Sequence, residues 1–147
     1  MRPGWVAFPD ADPALVSAAR CGVVLTCVTQ ARRLGLWVHD ERPGVHVGAT
    51  PGSRGGKPAR LRVHWAIPMV PRHPDALVDP IENVLAMVAG CEPYEQALAT
   101  WESALNRGLV EREQLDALPW RPAARRLLAE AWPFSDAGLE TYLRPRL

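Results

Sequence analysis

The chain has 147 residues, of which 48% are hydrophobic and 22% charged, a balance typical of one globular domain. No apolar run approaches the roughly 20 residues that a membrane-spanning helix needs, and the N-terminal residues lack the apolar core of a signal peptide. The three cysteines, an odd number without a secretion signal, indicate reduced thiols. We therefore expect a cytoplasmic protein with no membrane partner.

Charge is distributed unevenly along the chain, although the net charge is only +1. Residues 32–72 contain eight basic and two acidic side chains, whereas residues 73–147 contain seven basic and twelve acidic ones. A basic segment favours anionic partners, and an acidic one favours basic partners. The chain is therefore expected to present two surfaces of opposite sign.

Two short helices are predicted near the N-terminus. The first runs from about Pro13 to Arg20, because Asp12-Pro13 combines an N-cap residue with proline at the first helical position. Residues 1–12 precede it as a tail. The second helix follows Thr26 and stops at Gly35. Its apolar side chains, at helical spacing, are those of Val28, Ala31 and Leu34.

The middle of the chain is predicted to be β-structure. Residues 36–39 and 45–49 are short and apolar, and residues 59–66 alternate between apolar and polar side chains. The intervening PGSRGGKP at 51–58 is too rich in turn residues to be regular. These features predict a β-hairpin with a long basic loop, within a small mostly antiparallel sheet.

The second half is predicted to be helical, because apolar residues recur there at i, i+3, i+4 and i+7 between glycine and proline breaks. The predicted helices are Asp79 to Gly90, Pro93 to Gly108, Leu109 to Leu118, Pro122 to Trp132, and about Asp136 to Leu143. The predicted fold class is α+β, with the small sheet followed by the helical second half.

The glycine-rich loop carries the clearest candidates for nucleic-acid binding. A flexible cationic loop follows a phosphate backbone with sequence-independent, salt-dependent affinity. The alternative is a solvated loop that balances the acidic half of the same protein. Two further arginines, at the end of the second predicted helix, add to this cationic surface. The full candidate set is Arg54, Lys57, Arg60, Arg62, Arg32 and Arg33.

No catalytic or metal-binding motif is recognisable in the sequence. The histidines His39, His46, His64 and His73 fit no metal spacing, and HExxH, CxxC, GxSxG and phosphate-loop patterns are absent. Cys27 and Cys91 lie among apolar residues near predicted helices, which favours buried structural thiols. We therefore predict no catalytic residues, no metal and no cofactor.

Several segments resemble a known family. The most specific is LTCVTQARRLGLWV at 25–38, and HVGATP, VHWAIP, DPIENVLAMVAGC and ALATWESALNRGLVEREQL continue the pattern. Together they resemble the middle domain of actinobacterial proteins in which a winged helix precedes this domain and a very-short-patch-repair-like endonuclease domain follows it. That layout is similar to the layout of AbiEi-type antitoxins, which act in phage defence.

The resemblance implies a tail at 1–12, an α+β AbiEi-like domain at 13–132, and a helix at 133–147 like the first helix of the nuclease domain. Glu140 matches a carboxylate of that helix, but the later acidic residues needed to hold a catalytic metal have no counterpart. The implied function is a non-catalytic binding module that contacts DNA, RNA or a protein. The alternatives are a subunit of a metal-dependent endonuclease completed by another chain, and a structural assembly protein.

Aromatic residues near the C-terminus are the candidates for a protein-partner surface. Trp120, Trp132 and Phe134 would form an exposed apolar patch at the place where flanking domains pack in the family. The alternative is that these side chains close the helical core.

Overall fold

A computed structural model describes residues 8–39, 44–49 and 61–131. Within these ranges a three-stranded sheet and six helices form an α+β fold, with the strands in the first half and the helices mainly in the second. The predicted fold class is confirmed. The glycine-rich loop at 51–58 and the predicted C-terminal helix lie outside the described residues. No helix of the described part is long and apolar enough to cross a bilayer.

The N-terminal helices begin where their capping residues predict. Helix α1 spans Pro13–Cys21, and Asp12 caps it by accepting a hydrogen bond from the backbone N–H of Ala14 at 2.9 Å. It ends at Gly22, whose φ of +66° is the left-handed conformation that favours glycine. A two-residue strand, β1 (Val24–Leu25), leads into helix α2 (Cys27–Arg33).

The sheet is mixed rather than mostly antiparallel. Strand β2 (Val45–Gly48) lies between β1 and β3 (Leu61–His64), antiparallel to β1 and parallel to β3. The predicted β-hairpin is therefore wrong, because parallel neighbours require a crossover connection instead of a tight turn. Alternation within 59–66 identified the strand but carried no information about its direction.

The predicted strand at 36–39 is not a strand. Its backbone groups form hydrogen bonds with side chains of the second-half helices and not with a neighbouring strand. The N–H of Trp37 donates to Ser103 Oγ at 3.1 Å, and the Trp37 carbonyl accepts from Thr100 Oγ1 at 2.7 Å. Both of those residues lie on one helix of the second half, so this short segment is fastened to the helical core.

Up to residue 131, where the described part ends, the second half contains four helices whose order matches the prediction. Helix α3 continues one residue beyond the expected stop at Gly90, and α5 is shorter than expected. Proline precedes α3 and α4 and occupies the first position of α6, where its missing N–H costs nothing. The helices are α3 (Ile81–Cys91), α4 (Tyr94–Asn106), α5 (Arg112–Asp116) and α6 (Pro122–Glu130).

Among the described residues, the core consists of two hydrophobic clusters. The larger one joins α2, α3, α4 and α6 around Trp101, which is fully buried and donates its indole N–H to the Leu85 carbonyl. Trp120 meets Trp101 edge to face at 5.0 Å and is 4% exposed. Trp120 thus closes the helical core and is not an exposed anchor for a partner. The smaller cluster, under the sheet, contains Ala18, Val23, Leu25 and Val47.

A buried polar network fastens the connection between β3 and α3. Arg72 forms two hydrogen bonds with the carboxylate of Asp79, at 2.6 and 2.9 Å, and a third with the Ala49 carbonyl. Asn83 donates to Asp79 and also pairs with both backbone groups of Val70. The carboxylate is fully buried and the guanidinium nearly so, so each charge depends on the other for its stabilisation.

Arg72→Met is expected to lower the free energy of unfolding by about 3–5 kcal/mol, because it leaves the buried Asp79 carboxylate unpaired. The matched control is Arg33→Met, which breaks the ion pair of Arg33 with Asp12, whose side chains are 33% and 41% exposed; its expected cost is about 0–1 kcal/mol. Urea unfolding measures both changes. Equal losses for the two variants would show that the buried pair has no special role.

Candidate metal centre

Four side chains that are far apart in the sequence converge at one point. The Sγ atoms of Cys27 and Cys91 and a ring nitrogen from each of His46 and His64 all lie within 4.8 Å of one another. Cys27 and His46 are buried, and the other two are partly buried. Two thiols and two imidazoles at this separation form the ligand set of a tetrahedral metal site.

Cys27 occupies a strained backbone position. It is the first residue of α2 and has a φ of +52°, the one positive value at a residue other than glycine in the described part of the chain. Such a conformation costs on the order of 1–3 kcal/mol and persists where the surroundings enforce it, commonly at functional sites. Here it turns the thiol of a helix-start residue toward the sheet.

The two histidines share one face of the sheet. His46 pairs with Arg62 and Gly48 pairs with His64 in the parallel register of β2 and β3, so the alternation of strand side chains puts both imidazoles on the same side. The rings stack with centroids 5.2 Å apart, and His46 Nδ1 is 3.0 Å from His64 Nε2. The backbone N–H of His46 donates to Thr29 Oγ1 at 2.8 Å, which ties this strand to α2.

Cys91 closes the cluster from the helical side. It is the last residue of α3, and its Sγ lies 3.8 Å from Nδ1 of His46. The four donors therefore come from α2, β2, β3 and α3, with one ligand from each element. An ion bound here would cross-link all four elements.

The thiols are coupled electrostatically. The hydrogen bond from Cys27 and, after it, the hydrogen bonds from His46 and His64 hold the pKa of the Cys91 thiol well below its usual range, against the opposing effect of burial. The same hydrogen bond and burial raise the pKa of Cys27. Even without a bound ion, the cluster thus favours the thiolate form of Cys91, and a thiolate is the form of cysteine that binds metals.

The distances fit one tetrahedral ion. With Zn–S of about 2.3 Å and Zn–N of about 2.0–2.1 Å, tetrahedral geometry places two ring nitrogens about 3.3 Å apart and a nitrogen and a sulfur about 3.6 Å apart. The corresponding separations here are 3.0 and 3.8 Å. An iron–sulfur centre with mixed ligands binds its histidines on one iron and its cysteines on the other. Two irons do not fit among four donor atoms that all lie within 4.8 Å of one another. Sulfur and nitrogen together favour zinc.

The predicted nucleic-acid residues fall into two groups. Arg62 is exposed on β3, on the same face of the sheet as the two histidines. Arg32 and Arg33 are exposed at the end of α2, and Arg33 pairs with Asp12 at 3.3 Å. The remaining candidates lie outside the described residues: Arg54, Lys57, Arg60, Trp132, Phe134 and Glu140.

The metal ligands were missed because their spacing follows no short motif. His46 and His64 are 18 residues apart, and Cys91 lies 45 residues beyond His46, whereas zinc motifs are recognised from pairs of ligands about three to six residues apart. The available signal was the position of each residue. Each histidine lies in an alternating strand, and each cysteine lies at a helix end.

Comparison of the chain with models of known protein families, with curated proteins and with solved structures finds no match. The resemblance to the AbiEi-like middle domain therefore stays a prediction, and the chemistry of the centre follows from its own donor atoms.

In the metal-free protein, the rate of Cys91 alkylation by iodoacetamide is expected to stay flat between about pH 6 and 8, because a lowered pKa means that the thiolate is already present. In the urea-unfolded chain, where thiols have a pKa of about 8.5, the rate should rise roughly 75-fold over the same interval. Peptide mapping by mass spectrometry measures both rates. The same pH profile in both states would contradict the coupling.

Proposed function

We propose that this protein is a zinc-stabilised, non-catalytic binding module. The observation that carries the proposal is the convergence of Cys27, His46, His64 and Cys91, whose donor atoms lie within 4.8 Å of one another. Zinc is the ion that best suits two thiolates and two imidazoles in tetrahedral arrangement. Helix α2, both longer strands and helix α3 would then be held by one ion.

The completeness of the ligand set supports a structural ion. Catalytic zinc sites have three protein ligands and keep the fourth position for water or substrate, whereas structural sites have four protein ligands. Cys27 and His46 are buried, with 0% and 4% of their surfaces exposed. An ion with four protein ligands at this depth has no position for water activation, which supports a non-catalytic role.

The resemblance and the centre support each other. Each donor lies in one of the segments that resemble the AbiEi-like middle domain: Cys27 in LTCV, His46 in HVGATP, His64 in VHWAIP and Cys91 at the end of DPIENVLAMVAGC. The segments that resemble the family thus coincide with the segments that meet at the centre. We infer that proteins carrying these four segments share the same zinc centre.

The binding role rests on the charge distribution and on the resemblance. A middle domain between a DNA reader and a DNA-cutting domain contacts nucleic acid or docks a protein partner, and residues 32–72 carry a strong excess of positive charge. The cytoplasm, where thiols stay reduced, keeps both cysteines available for zinc. We therefore place the protein in the cytoplasm as a module for an anionic or a protein partner.

The purified protein is expected to contain one zinc ion per chain, measured by plasma mass spectrometry. Cys91→Ser and His64→Asn should lose most of it, because a three-ligand site binds zinc far more weakly. Chelation of the wild-type protein should lower the Tm by on the order of 10 °C or more, since zinc binding is coupled to folding. Cys21→Ser is the control, because Cys21 is a free, half-buried cysteine outside the cluster.

Two outcomes would overturn this proposal. A wild-type protein expressed and purified with zinc in the medium but free of zinc would do so. Zinc content that is the same in wild-type, Cys91→Ser and Cys21→Ser would place any bound ion elsewhere in the chain.

A further inference from the structure

A cavity of about 400 Å³ opens beside the metal centre. It lies between β3 with the residues that follow it, the last turns of α3, and the start of α6. His64 and Cys91 line it, so the centre forms part of its wall. The volume falls at the lower end of the range for small-ligand pockets, about 300–1,000 Å³, which suits one nucleobase with its sugar.

One wall of the cavity carries an exposed aromatic ring. Trp65 directly follows β3, lines the cavity and is 73% exposed. Most of the Trp65 side chain is exposed, unlike the side chains of Trp101 and Trp120, which are buried in the core. Exposed aromatic rings are the platforms on which unpaired bases stack, and stacking tolerates any base because each base has a π-face.

Positively charged side chains line the same cavity as this ring. The exposed side chains of Arg62, on β3, and Arg121, at the start of α6, both line the cavity. None of the described residues that line it is acidic, although the second half of the chain has an excess of acidic residues. A cavity lined by an exposed aromatic ring and two guanidinium groups is complementary to a base and its neighbouring phosphates.

We propose that this cavity binds an unpaired base of a single-stranded nucleic acid, with the base stacked on Trp65 and the neighbouring phosphates bound by Arg62 and Arg121. A duplex keeps its bases stacked inside and presents none to such a cavity. The inference deepens the proposed function, since it names the partner of the binding module. The proposed base-binding site shares only His64 and Cys91 with the zinc centre.

Fluorescence anisotropy with labelled oligothymidylate and oligouridylate of about twelve nucleotides tests the proposal on the zinc-loaded full chain. Single strands should bind at least tenfold more tightly than a duplex of the same length. Trp65→Ala should weaken binding about 5–150-fold, the loss of one stacked base. Phe8→Ala is the matched control, because Phe8 is a 77% exposed aromatic residue outside the cavity.

The arginines are tested by the salt dependence. Arg62→Gln and Arg121→Gln should each reduce the slope of log affinity against log salt by about 0.7, the effect of one lost phosphate contact on a single strand. Arg20→Gln removes the same charge from an exposed position on α1, outside the cavity, and should leave the slope unchanged. A variant that merely perturbs folding would weaken binding without this specific change in slope.

The outcomes separate this inference from the zinc centre, because zinc content and Tm are measured on each variant. A purified wild-type protein that contains no zinc refutes the proposed function. Full zinc content without single-strand binding refutes the cavity proposal alone. Equal affinity for Trp65→Ala and wild type also refutes it. Binding of a neutral peptide with Leu and Phe side chains at Trp65, independent of salt and without oligonucleotide binding, would assign the cavity to a protein partner instead.

Discussion

The two hydrophobic clusters of this fold are joined by the elements that carry the Cys27, His46, His64 and Cys91 side chains. Cys27 belongs to the larger cluster and Cys91 packs against it. The histidine strands contribute their alternate residues, among them Val47, to the smaller cluster. Because β2 has only four residues and β1 only two, backbone pairing alone gives this sheet little stability. The zinc ion proposed for this junction would supply the cross-link that so small a sheet lacks.

The buried pair of Arg72 and Asp79 is a second fastening, at the end of β2. Arg72 reaches across the end of β2 to the Ala49 carbonyl, and its Cζ atom would lie 3.1 Å from a Cβ added at Gly48. Glycine at 48 is thus required by the close approach of a guanidinium, and any larger residue would push the arginine from its carboxylate. The backbone of Asp79 also bonds to Leu25 on β1. One network therefore positions β1, the end of β2 and the start of α3, whose last residue is the ligand Cys91.

The sequence predicts the helices of this fold better than its sheet, for a physical reason. Helix ends are specified locally, by residues such as Asp12 and Pro122 that satisfy or remove unpaired N–H groups. Strand direction is specified by partners far along the chain, so the alternation at 61–64 identified a strand but left its parallel pairing undetermined. The segment at 36–39 shows the same limit, because its backbone partners are side chains of α4 more than sixty residues away.

The candidate metal centre depends on the same long-range information. Each ligand has an ordinary local environment: His46 and His64 occur in short alternating strands, and Cys27 and Cys91 lie beside apolar residues at helix ends. Only the parallel register, which was not predictable, brings the two imidazoles to one face. An antiparallel hairpin over the same residues would have a different register, so an error in strand direction also conceals the site. By contrast Arg62, predicted from local charge alone, is exposed.

The candidate metal centre and the cavity share part of their structure, which connects the two proposals. Trp65 follows the ligand His64, and Gly90 precedes the ligand Cys91, and all four line the cavity. An added Cβ at Gly90 would meet no atom within 4 Å, so the absence of a side chain there keeps this wall open. A zinc ion with four protein ligands keeps no open position for water or substrate, so its proposed role here is to fix the backbone next to the aromatic ring. It would act on the proposed binding through position, by holding β3 against the end of α3. The strained backbone of Cys27 is consistent with this role, because a ligand held in a costly conformation pre-organises the site before the ion arrives.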